Sequence, residues 1–190
     1  MKRFLLFFVL IAELVCPVSD VWTPEQIAAA NTAVTHPELT KLEKETIMYL
    51  NLARLYPKQF AVIEVRDYWG TDNYPDYLKT SRYKQSLIDE LIKREAVQPL
   101  YFDKVMYASA VCFSKESGRL GTVGHTRKQC TIPKGVFAEC CSYGMSTAKD
   151  IVLQLLIDDE IEGVGHRVIC LDKKYSKIGV SISSHKVWDT

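Results

Sequence analysis

Along residues 40 to 57, Leu42, Thr46, Tyr49, Leu50 and Ala53 recur at helical spacing, and Pro57 closes the run. Thr40-Lys41-Leu42-Glu43 opens it as a capping box, in which the hydroxyl and the carboxylate three residues on each satisfy a free amide. Trp69 to Ser81 is aromatic, Asp-rich and turn-prone, a loop by composition; Leu87, Ile88, Leu91 and Ile92 then predict a second short amphipathic helix. Asp103 suits the N-cap of a third, with Val105, Met106, Ser109, Cys112 and Phe113 on one stripe and Gly118 and Gly121 as stops. Residues 122 to 145 carry Gly, Pro and Cys without a helical period, the pattern of loop and short strand. Ser146 or Thr147 opens a fourth helix with Ala148, Ile151, Val152, Leu155 and Leu156 inside. From Lys177 to Ser184, Ile178, Val180 and Ile182 alternate with Gly179, Ser181 and Ser183, the period of a half-buried strand. Residues 20–40 read as a polar lead-in with turns at Thr23-Pro24 and His36-Pro37. There is no internal repeat, and one mixed α/β domain accounts for the pattern.

The first 19 residues form a different unit. Lys2 and Arg3 precede an apolar run from Phe4 to Ala12, broken by Glu13 and Pro17, which is the build of an export signal over 1–19. A membrane span takes ~20 apolar residues, and this run falls short. Cleavage is expected between Cys16 and Asp20; Val15, where a small residue is usual, argues against lipid anchoring at Cys16. Export fits the six cysteines, Cys16, Cys112, Cys130, Cys140, Cys141 and Cys170. Loss of Cys16 leaves five, so at least one thiol is unpaired or bridges molecules. Adjacent Cys140 and Cys141 are expected to take different partners, because a vicinal bridge strains the backbone. With 24 basic against 23 acidic residues the formal charge is +1, which removes the basic excess that a nucleic-acid surface needs.

Candidate chemistry gathers in three places: Gly124-His125-Thr126, the stretch from Ala138 to Gly144 with Glu139, and Gly163-Val164-Gly165-His166-Arg167, preceded by Asp158, Asp159 and Glu160. Two imidazoles and two carboxylates suffice for a divalent cation of the Zn²⁺ type, with ligand distances of ~2.0–2.2 Å. Without a metal, the same groups make a His and Glu acid–base pair. No His-Glu-x-x-His or Cys-x-x-Cys is present, so the ligands must converge through folding. His36 and His185 carry no such neighbourhood.

In order, the Leu42-to-Arg54 helix with Asn51-Leu52-Ala53-Arg54, the Gly-His-Thr, the Glu-x-x-Ser-Tyr-Gly, Gln154-to-Asp159 with its Gly-His-Arg, and the Ile178-to-Ile182 strip before His185-Lys186 resemble the CAP superfamily over residues 41–190. That resemblance implies an α-β-α sandwich with a small, mixed, mainly antiparallel central sheet. It also implies a cleft lined by His125, Glu139, Asp159 (or its neighbour Asp158) and His166. The cleft would take Zn²⁺ or another divalent ion on His125 and His166. The expected function is that of a secreted, non-catalytic binding or effector module for an extracellular protein partner. One alternative is a metal-assisted hydrolase with Glu139 as general base. Another is a sterol or lipid carrier, whose lining would come from Tyr68, Trp69, Tyr74 and Tyr77. Neither nucleic acid nor a transmembrane span is expected. The chain departs from the family pattern at Ala138, usually Gly, and at Cys140, usually Asn; Asp159 is shorter than the usual Glu by about 1.5 Å of reach. It also closes at Trp188-Asp189-Thr190, before the last strand of the family's sheet, so the expectation is a trimmed sheet or an incomplete product.

Overall fold

Five of the seven helix starts among the described residues carry an N-cap side chain that accepts from a free backbone amide. The computed structural model describes residues 21–135 and 137–188; the export signal expected over 1–19, with Cys16, lies outside them. Thr23, expected in a turn, instead caps α1 (Pro24–Ala30) in a capping box with Gln26. Thr40 does the same for α2 (Lys41–Leu55): Glu43 N donates to Thr40 Oγ1 and Thr40 N to Glu43 Oε2. Tyr56 interrupts the chain before α3 (Pro57–Phe60), which continues as a π-helical turn over Ala61–Val65. Ser81 caps α4 (Arg82–Lys93), Asp103 caps α5 (Lys104–Leu120) and Thr147 caps α6 (Ala148–Ile157). The last helix, α7, spans Gly165–Leu171.

The main core forms where α2 crosses α6, with Leu50, Leu52 and Ala53 facing Val152, Leu153, Leu156 and Ile157; Phe60, Leu87, Leu91 and Leu171 close it. Each fully buried leucine contributes ~2 kcal/mol of transfer free energy. Two buried polar residues of α2 stitch this core to the rest. Asn51 donates to the carbonyls of Ala30 and Leu100 and accepts from Leu100 N at 2.7 Å, so it holds the segment after α1 against the approach to α5. Arg54, fully buried, donates to four backbone carbonyls: Gln98 at 3.0 Å, Cys170 at 2.7 Å, Asp172 at 3.2 Å and Tyr175 at 2.9 Å. From α7, Arg167 repeats the device toward Leu156, Ile157 and Tyr83.

The expected α-β-α sandwich with a mainly antiparallel sheet is not the fold. Among the described residues there are seven α-helices and one two-stranded sheet, β1 (Tyr101–Phe102) with β2 (Lys177–Ile178), and its strands run parallel. The alternating strip after Lys177 is the reason. Its apolar side chains Ile178 and Val180 pack toward Ala33, Leu39 and Ile47, while Ser181 and Ser183 each lie 3.0 Å from Ser114 Oγ on α5. The strip therefore alternates as expected, but past Ile178 it packs on α2, α5 and the connection between α1 and α2. Ile182 N donates to Glu43 Oε1, a side chain standing where a ladder carbonyl would be. At Gly179 a Cβ would collide with Tyr107 N, and at Gly118 with Ser184 O, so strip and α5 touch backbone to backbone at both ends.

Asp103 ties α5 to this strip. Its carboxylate accepts from Val105 N and Met106 N and pairs with Lys177 Nζ at 2.8 Å, and these contacts, Lys177 foremost, hold the carboxyl below the usual carboxylate range. Asp103→Ala is expected to cost about 1 kcal/mol at neutral pH. Because the folded value lies below the unfolded one, this contribution is present above the unfolded carboxylate value and fades as pH falls through the folded one. Urea unfolding at neutral pH and near pH 2 checks this. The wild type and variant should converge in acid; an undiminished gap there would contradict the assignment.

Candidate functional site

The loop after α5 is fastened to that helix before it delivers any chemistry. A Cys112–Cys130 disulfide joins the two, and Glu116 on α5 accepts from Lys128 N and Gln129 N at 2.9 and 2.7 Å. Arg127 lies over the Phe113 ring at 4.4 Å. Gly124, in the left-handed region at φ +85°, turns the chain so that His125 projects; Tyr143 Oη accepts from Gly124 N at 3.0 Å. Across from it runs the strip 137–143. Gln154 on α6 grips its end, accepting from Ser142 Oγ at 2.5 Å and donating to Tyr143 O at 3.2 Å.

These anchors bring His125 and Glu139 together. His125 Nδ1 lies 3.0 Å from Glu139 Oε1, and Arg127 pairs with the other carboxylate oxygen. Cys141 Sγ lies 3.7 Å from the same His125 nitrogen. Glu139 and Cys141, two apart on the strip, both turn toward His125. The ligand atoms of His125, Glu139 and Cys141 all lie within 4.8 Å of one another, and this trio can hold a metal ion. One imidazole nitrogen, one carboxylate and one thiol suit Zn²⁺ rather than Mg²⁺ or Ca²⁺. Burial, and after it Glu139, pushes the Cys141 thiol up to about 11, so it keeps its proton at neutral pH in the absence of a cation.

The other two expected cleft residues part company. Asp158 ends α6 in the left-handed conformation, φ +55°, which turns its carboxylate back toward α7. There it accepts from His166 N at 2.9 Å and lies 2.7 Å from His166 Nδ1. Asp159 instead accepts from Ser81 Oγ, the cap of α4, so the carboxylate beside His166 is Asp158. The His125 and His166 rings stand with centroids 6.5 Å apart, and His166 is outside the close trio. The group whose donor atoms stand closest is therefore His125, Glu139 and Cys141, with His166 beside it. Asp158 occupies Nδ1 of His166, which leaves Nε2 as the nitrogen open to a ligand, the usual carboxylate–imidazole orientation at metal sites.

Cys141 and Arg127 were not among the expected residues. The period of two in the strip points to Cys141 once Glu139 is chosen. Arg127 carries no comparable signal, since its partner lies across a disulfide-anchored loop. Cys141 and Glu139 face the same nitrogen of His125, whereas a Cys-His-acid relay needs one on each, so these three do not form one. His185 is structural: Nε2 lies 3.1 Å from Thr122 O, and Nδ1 accepts from Val187 N.

Beneath the strip lies a cavity of about 430 Å³ between α5 and the segments 137–143 and 174–183, lined by Leu50, Met106, Phe113, Phe137, Leu155 and Val180 among others. Ser109 Oγ, buried and without a hydrogen-bond partner, also lines it. The aromatic loop expected to line a lipid site does not reach it. Tyr68 is buried and donates to Asp150, and Trp69 lies 3.2 Å from Lys84 Nζ.

No helix among the described residues is long and apolar enough to cross a membrane, and this, with the disulfide, is compatible with an extracellular protein. Comparison with known proteins finds no matching family model, no matching curated protein and no matching solved structure.

Proposed function

We propose that this chain is an extracellular binding module whose cleft holds a divalent cation of the Zn²⁺ class on His125, Glu139 and Cys141. The observation that carries the reading is the convergence of three chemically different donors from two separately anchored segments. His166, oriented by Asp158, stands beside them on a third. The ordered motifs that resemble the CAP superfamily support the same reading through the clustered histidines and Glu139. A bound cation would brace the loop carrying His125 against the strip carrying Glu139 and would present an ordered face to a partner. Turnover has less support. Glu139 as a general base has one oxygen held by Arg127 and the other on His125.

Calorimetric titration of the folded chain tests the reading. Zn²⁺ is expected to bind at one equivalent, and Mg²⁺ to give no comparable heat, because a thiol and an imidazole select the softer ion. Absence of Zn²⁺ binding in a folded protein would refute it.

The cavity under the strip favours a second reading, carriage of an apolar ligand with a polar end near Ser109. Its volume is within the ~300–1,000 Å³ range of small-molecule sites. Ala110 on α5 also lines the cavity. Saturable binding of a fluorescent fatty acid, unchanged in His125→Ala and weakened in Ala110→Trp, is the expected result; binding indifferent to the tryptophan would place the ligand elsewhere.

A further inference from the structure

Cys140 and Cys170 are joined to nothing, yet their sulfurs lie 4.0 Å apart. The two belong to opposite walls of the cleft. Cys140 stands between Glu139 and Cys141 on the strip and projects to the other side from both. Cys170 lies one turn beyond His166 on α7, four residues on and therefore on the same helix face. The other thiol of the adjacent pair, Cys141, faces His125 and Gly124 O instead, so the strip sends its two sulfurs in opposite directions. An intramolecular disulfide, Cys112–Cys130, is already part of the fold.

We propose that Cys140 and Cys170 form a second disulfide, which locks the Glu139 strip to the His166 helix and leaves Cys141 as the one free thiol among the described residues. The oxidant is a small-molecule disulfide such as oxidised glutathione, the kind present where secreted chains mature. Cys140, half-buried, is the sulfur within reach; Cys170 is only 7% exposed. The Cys140 thiolate attacks the oxidant's sulfur–sulfur bond and expels one glutathione thiolate. The Cys170 thiolate then attacks Cys140 Sγ of the mixed disulfide and expels the second. The two protein thiols are oxidised, the oxidant is reduced to two thiols, and the two protons end on them. Closure needs the sulfurs to approach from 4.0 Å to the ~2.05 Å of the bond, a shift of side-chain scale. The lock does not depend on a cation in the cleft, and its test reads sulfur linkage alone.

The experiment equilibrates the full chain in oxidised glutathione, alkylates the remaining thiols, digests with trypsin without reduction and reads peptide masses. Trypsin places Cys140 and Cys141 together in 135–149 and Cys170 in 168–173. The expected product is 135–149 linked to 168–173 with one alkylated cysteine. The link should persist in Cys141→Ser and vanish in Cys140→Ser. Recovery of 168–173 in alkylated form from the oxidised wild type would overturn the proposal, and so would a link that survives in Cys140→Ser, since Cys141 would then be the partner. Oxidation should also shift the unfolding equilibrium about 500-fold toward the folded state, because the bridge closes a loop of some thirty residues; no shift on a verified bridge would remove its role as a lock.

Discussion

Arg54→Met is expected to be the most damaging single substitution outside the apolar core, costing about 3–5 kcal/mol. The guanidinium is fully buried and no carboxylate among the described residues is bonded to it; its hydrogen bonds go to the carbonyls of Gln98, Cys170, Asp172 and Tyr175. Burial pulls its pKa down from the ordinary value, so desolvation of the charge works against the fold, and methionine would relieve that cost. The larger effect is what methionine leaves behind: the Gln98 and Cys170 carbonyls lose the Arg54 donor, at ~1–3 kcal/mol for each that cannot reach water, while Asp172 O keeps Tyr175 N and Tyr175 O keeps Gln98 Nε2. The loss is a large share of the ~5–15 kcal/mol that holds a domain of this size together. Arg54→Lys should recover only part, because an ammonium cannot reproduce the planar fork that spans the end of α7 and the turn after it. Urea denaturation followed by circular dichroism measures both variants; a loss below about 1 kcal/mol for Arg54→Met would show that the carbonyls find other donors.

His125→Ala is expected to weaken Zn²⁺ binding about 100-fold while leaving stability nearly unchanged. A complete structural zinc site is worth ~10–16 kcal/mol, so one of its donors accounts for roughly 3 kcal/mol, or two decades in Kd. His125 is mostly solvent-exposed, with its side chain 54% accessible, so its contact with Glu139 adds little to folding in the absence of a cation. The two readouts separate a ligand from a structural residue. A variant that binds Zn²⁺ as tightly as wild type would remove His125 from the site; one that unfolds would make it structural.

Four helices, α2, α4, α5 and α6, were the readable part of this chain, because their starts are written locally. Thr40 with Glu43, Asp103 and Thr147 each bond amides within three residues, so the sequence contains both partners of the interaction. The lead-in concealed α1 because Thr23-Pro24 signals either a turn or a first helical turn, and only packing against α2 decides between them. The strip after Lys177 exposes a limit of periodicity. Alternation records that one side is apolar and the other polar; it does not record whether the neighbour is a strand or the face of α5. The two glycines that permit the close approach, Gly118 and Gly179, are read one at a time as a helix stop and a polar-side residue.

The site was legible in proportion to how local it is. Gly124-His125 and Glu139 could be named from the sequence, since each is marked by its immediate neighbours. The choice between Asp158 and Asp159 turned on a single left-handed residue at the end of α6, a conformation that aspartate adopts more readily than most residues but does not announce. Arg127 and the opposed directions of Cys140 and Cys141 depend on contacts between segments fixed by the disulfide and by Gln154, and these exist only after folding.

The most direct test of the cation cleft is titration with Co²⁺, a spectroscopic stand-in for Zn²⁺ in sites of this donor class. A thiolate ligand gives a near-ultraviolet sulfur-to-cobalt charge-transfer band that oxygen and nitrogen donors do not. The band should saturate at one equivalent in the wild type, disappear in Cys141→Ser and be displaced by Zn²⁺. A folded wild-type protein in which Co²⁺ keeps the spectrum of its aqueous ion would contradict the account.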